Sequence, residues 1–161
     1  MFVLALLQNT PILLSIFSIL FAQFVKVPIH LIATKKLDWS LMTSTGGMPS
    51  SHSAAVTSLA TAVGFETGLD SPIFAVAAMF ACIVMYDATG VRYQAGQHAV
   101  IINRIRNELT VFFNEVKHWP EKNEDEKMKE LKTLLGHKPS EVFMGALTGI
   151  LISILFYNLF V

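Results

Sequence analysis

Four apolar runs of near-membrane length constrain this chain more than any other feature. A spanning helix needs roughly 20 mostly apolar residues. The runs lie at about 11–25 (extending back towards Phe2), 53–65, 73–86 and 142–161. The second is rich in Ala, Ser, Thr and Gly, which suits a helix packed between others. The fourth carries Gly145 and Gly149 four residues apart, a spacing that permits close helix approach. Composition agrees: 53% of the 161 residues are hydrophobic and 15% charged, where soluble domains carry nearer ~25% charge. A soluble fold of this size keeps too much surface to hide that apolar area. The expected fold is all-α: an integral membrane helical bundle of about four transmembrane helices, in a single domain over residues 1–161. Residues 1–10 hold no Lys or Arg, so the first run reads as a retained span rather than a signal peptide. Cys82, inside the third run, reads as a buried structural thiol.

The connections between the runs differ sharply in charge. All twelve Lys and Arg residues fall in two of them, three within 26–47 and nine within 91–139. The connection at 66–71 holds two acids and no base. With four spans the two basic connections share one side, and the positive-inside rule makes that side cytoplasmic. A multi-pass protein of the cell membrane follows, with both termini facing outward. Within the long connection, 92–116 reads as a helix with apolar residues such as Val100, Ile101, Ile105 and Leu109 at helical spacing. It lies on the membrane surface or packs under the bundle. Trp119 and Pro120 end it, 121–130 is a solvated charged run, and 128–135 is a second short helix. Together they form a cytoplasmic helical hairpin inserted at about 91–136. Net charge is zero, and no nucleic-acid partner is expected.

Polar residues gather on the basic side, and polar groups at a membrane edge invite a functional question. The segment Gly46-Gly47-Met48-Pro49-Ser50-Ser51-His52 opens the second run. Ser is a good N-cap, and a helix N-terminus offers unpaired N–H groups to an anion. His52 there can exchange a proton with a bound phosphate, or simply accompany the cap. His137 and Glu141 are four apart, on one face of a starting helix. A carboxylate on one imidazole nitrogen fixes the tautomer and frees the other to attack, although a structural pair has the same spacing. Arg92 is either an interfacial anchor or a bidentate phosphate partner. Lys26 ends the first run and either snorkels or reaches the same anion.

These pieces together resemble a family. Pro49-Ser50-Ser51-His52 resembles the PSGH motif of type 2 phosphatidic acid phosphatases and vanadium haloperoxidases. The run from His137 through Glu141 to Gly145 and Gly149 looks like that superfamily's final motif, a His followed by an acid and a glycine-paired helix. With Tyr86-Asp87-Ala88-Thr89-Gly90-Val91-Arg92, the chain is similar to the divergent branch of the family, small membrane proteins related to acid phosphatases. The resemblance implies a metal-independent phosphatase that needs no cofactor. In it His137 is the nucleophile, Glu141 orients it, and His52 protonates the leaving oxygen. Ser50, Ser51, Arg92, Lys26 and Lys36 hold the phosphate, with Asp87 a further candidate. The membrane setting favours a lipid or prenyl phosphate substrate, met among membrane lipids at the cytoplasmic leaflet.

The departures from the pattern leave alternatives open. The family's Lys motif with its Arg-Pro is absent, and Lys26 and Lys36 stand as substitutes. The glycine before His52 is Ser51, and the acid is Glu141 where the family has Asp. The family's Arg sits six residues before the nucleophile, but that position here is Leu131. Either Arg92 is that Arg, displaced by the inserted hairpin, or His98, six residues after Arg92, is the nucleophile. His98 lacks an acid four residues on, because that residue is Ile102. If the hairpin swings away from its own bundle, a neighbouring subunit of a homo-oligomer completes the site. Two other functions compete with phosphatase: a phosphate-binding module with weak or no turnover, and a small transporter or structural bundle using the Ser/Thr-rich stretch 57–61.

Overall fold

The computed structural model describes residues 7–44, 46–116 and 136–160, the side chains of 111–116 excepted. Five α-helices and one 3-10 turn make up the described chain, and no strand occurs among these residues. The helices are α1 (Thr10–Thr34), α2 (Ser51–Thr67), α3 (Pro72–Thr89), α4 (Val91–Val116) and α5 (Pro139–Phe160), with the 3-10 turn at Trp39–Thr43.

Side chains short enough to fold back onto the main chain set the helix starts. Asn9 accepts the Ile12 N–H at 3.1 Å ahead of Pro11. Ser50 accepts the Ser53 N–H at 3.3 Å, and Ser71 accepts the Ile73 N–H at 3.2 Å ahead of Pro72. Each satisfies a donor that the first helical turn leaves open.

Three stretches are long and apolar enough to cross a membrane: Thr10–Thr34, Pro72–Thr110 and Pro139–Phe160. The protein is a helical membrane bundle. The remaining expected span, α2, has 17 residues and is about 26 Å long at ~1.5 Å per residue. It is the central element, packing on α1, α3 and α5, with nine of its residues buried. Its neighbours cover it with small side chains and interhelical hydrogen bonds. Ser15 on α1 donates to the Ala55 carbonyl at 3.2 Å, and Thr57 donates to the Ala146 carbonyl at 3.0 Å. The Ser58 and Ser153 hydroxyls lie 2.9 Å apart. Where α5 crosses α2, a Cβ on Gly145 or Gly149 would fall within 3.0 Å of the Ser50 or Ala54 carbonyl oxygen. The paired glycines are what let these two backbones touch.

Two expectations need correction. The first span does not stop at Val25; α1 continues to Thr34, and Lys26 lies inside it, 1% exposed. The helix continues because apolar residues resume at Val27 and the ammonium finds the Ser44 carbonyl at 3.3 Å. Cys82 is exposed rather than buried. It sits on α3, an edge helix whose Ile73, Val76, Met79 and Ile83 also point outward from the bundle.

Helix α4 follows α3 directly after Gly90, as the sequence pattern predicts, and packs on no other described helix. The charged run at 121–130 and the short helix expected at 128–135 lie outside the described residues. Gly136 marks the return of the chain. Its φ is +77°, and a Cβ there would collide with the Arg92–Tyr93 backbone. Gly136 thus packs directly on the backbone at the start of α4.

Candidate functional site

Two hydrogen bonds between separate segments, and one within the start of α5, build the site. The Ser50 N–H donates to the Glu141 carbonyl at 2.9 Å, joining the start of α2 to the start of α5. The His137 N–H donates to the Ala88 carbonyl at 3.0 Å, joining the chain before α5 to the last turn of α3. Glu141 accepts the Lys138 N–H at 3.2 Å, reaching back over the first turn of its own helix as in a capping box. Residues far apart in sequence thus meet at one end of the bundle.

There His52, Val84, Asp87, Ala88, Arg92, Gly136 and His137 enclose a cavity of about 70 Å³. That is room for a few waters or one small tetrahedral anion. His137 forms its floor, 2% exposed, and His52 stands at its mouth with ring centroids 5.9 Å apart. The His137 Nδ1 lies 3.1 Å from Glu141 Oε2. Its Nε2 is buried and has no hydrogen-bond partner among the described residues. A buried polar atom with no partner is costly, so such an atom beside a cavity calls for an occupant. Opposite, Arg92 Nε donates to Asp87 Oδ2 across the α3–α4 junction.

Lys26 lies behind this cavity rather than in its wall. Its ammonium and the Gln23 amide, three residues earlier on the same helix face, both donate to the Ser44 carbonyl, at 3.3 and 3.4 Å. Lys26 is within electrostatic reach of Glu141 and His52.

The structure brings together His137, His52, Glu141, Arg92 and Asp87, with Lys26 close behind. Four other candidates fall outside the cavity wall. Ser50 is fully buried as the α2 cap, its hydroxyl accepting from both the Ser53 N–H and the Ser53 hydroxyl. Ser51 is buried and does not line the cavity. Lys36 is exposed beyond the end of α1, and His98 is exposed on α4, one to two turns past the site. Sequence reasoning missed Gln23 and the Ser44 and Ala88 carbonyls. Gln23 carried a signal: an amide inside an apolar span, one turn from a lysine, is a costly placement. The carbonyls carry none, because every residue has one.

The fold and the cavity define a class: a small helical membrane protein with a two-histidine, arginine-bearing pocket at one end. The chain belongs to the Divergent PAP2 family, whose model matches residues 7–152. It is 59% identical over 149 residues to the uncharacterized membrane protein YuiD of Bacillus subtilis (strain 168), covering 92% of this chain and 94% of that relative. No solved structure matches the chain.

Proposed function

We propose that the protein is a metal-independent phosphatase that hydrolyses a lipid or prenyl phosphate monoester through a phosphohistidine. The observation that carries this reading is the His137 ring: one nitrogen on Glu141, the other buried, unpartnered and facing a small cavity shared with His52 and Arg92. In the first step His137 Nε2 forms a bond to phosphorus as the P–O bond to the lipid alcohol breaks. His52 gives its proton to that leaving oxygen. In the second step water attacks the phosphohistidine, His52 takes the water's proton, and inorganic phosphate leaves. Arg92 and the field of Lys26 stabilise the oxygens on which charge builds. Glu141 holds the His137 tautomer and stabilises the imidazolium that forms.

The membrane setting favours a lipidic substrate, whose head group reaches the helix ends while its chain stays in the bilayer. The two basic connections meet at the site's end, so the site opens towards the cytoplasm. The transporter alternative loses its main support, because the Thr57 and Ser58 hydroxyls are engaged in helix–helix hydrogen bonds. The test is a phosphate-release screen of the detergent-purified protein against phosphatidate and polyprenyl phosphates, with EDTA present and His52→Ala as control. Release from at least one substrate, lost in His52→Ala, is expected. Phosphate or vanadate binding without release would favour the non-catalytic binding module instead.

A further inference from the structure

An acid inside an anion site needs a reason. Asp87 lines the cavity beside both histidines, where its negative charge opposes any phosphate that enters. It belongs to the last turn of α3, whereas Arg92 belongs to the first turn of α4, with the Gly90 break between them. Asp87 takes the guanidinium by its Nε edge. Both partners are substantially open, with side chains 58% (Arg92) and 39% (Asp87) exposed. An ion pair that exposed adds little to stability. Its consequence is directional. A guanidinium is planar, and pinning Nε fixes which way the rest of the fork points. Arg92 sits at the rim, and an untethered arginine there has water and lipid head groups as competing partners.

We infer that Asp87 is a positioning residue: it holds Arg92 over the cavity so that the guanidinium meets the bound phosphate in a set orientation. The inference rests on the phosphate-site reading and makes a prediction of opposite sign from simple electrostatics. Removing an anion from an anion pocket ordinarily tightens anion binding. Removing a tether weakens it.

The experiment is calorimetric titration of the purified protein with inorganic phosphate and with vanadate, for wild type, Asp87→Ala, Asp87→Asn, Arg92→Ala and the Asp87→Ala/Arg92→Ala double variant. Asp87→Ala is expected to weaken binding about tenfold, the scale of one charge-assisted hydrogen bond. Asp87→Asn keeps an oxygen for Arg92 Nε and recovers most of the affinity, which a misfolded protein would not. The double variant binds no more weakly than Arg92→Ala alone, because Asp87 acts only through the arginine. Tighter or unchanged binding in Asp87→Ala, or additive losses in the double variant, would overturn the inference. If wild type binds neither anion, the phosphate site itself falls, and the tether with it.

Discussion

Glu141 shows how one side chain serves fold and chemistry together. Its Oε2 accepts the Lys138 N–H that starts α5 and lies 3.1 Å from His137 Nδ1. Glutamate has the reach to do both. Glu141→Gln keeps an oxygen for the backbone N–H but loses the charge that stabilises an imidazolium. It should fold normally and lower kcat on the order of 10². His98→Ala, on α4 and outside the cavity wall, should leave turnover unchanged. Steady-state kinetics on the purified variants checks both, and wild-type rates in Glu141→Gln would leave the carboxylate as a cap only. At this scale the sequence was informative where residue type is rare in its setting. Two histidines, an acid and an arginine at a membrane edge stood out. Ser50 misled because a cap and an anion cradle draw on the same residue types; burial behind α5 decides for the cap.

At the scale of helices, the arrangement explains why the charge pattern was readable. The end of α3 and the starts of α2 and α5 meet through the Ser50–Glu141 and Ala88–His137 hydrogen bonds, so the two basic connections share an end. The opposite end is tied by Tyr157, which donates to Glu66 at 2.8 Å and stacks on Phe65 at 4.8 Å. If the positive-inside rule governs, the site's end faces the cytoplasm. In a Cys82→Ser background, Leu37→Cys should react with a membrane-impermeant maleimide only after cells are permeabilised, and Asp70→Cys should react in intact cells. The reverse pattern would place the site outside. The sequence ends α1 too early because a lysine inside a span looks like its end. Only the fold reveals the Ser44 carbonyl that makes Lys26 tolerable there.

For the whole molecule, small residues let α2 sink between three neighbours, and that central helix delivers His52 to the place where Arg92, at the start of the inserted segment, meets His137, just past its end. The all-helical membrane class followed from apolar run length alone. The family resemblance is carried by His52, His137, Glu141 and the two glycines, which the structure gathers on α2, on α5 and in the chain just before α5. The sequence offers the splice only as one of two alternatives, because nothing in the spacing of Arg92 and His137 says that Gly136 packs on the Arg92–Tyr93 backbone. That contact comes from chain closure, which no local pattern encodes. The central claim is that His137 Nε2 accepts a phosphoryl group. The direct measurement is to mix purified protein with a ³²P-labelled lipid phosphate, quench in alkali, where phosphohistidine survives, and map the label by mass spectrometry. The account predicts label on His137 in wild type, more of it in Glu141→Gln if breakdown slows, and none in His137→Ala. Phosphate release at wild-type rate from His137→Ala, or label on His98, would contradict it.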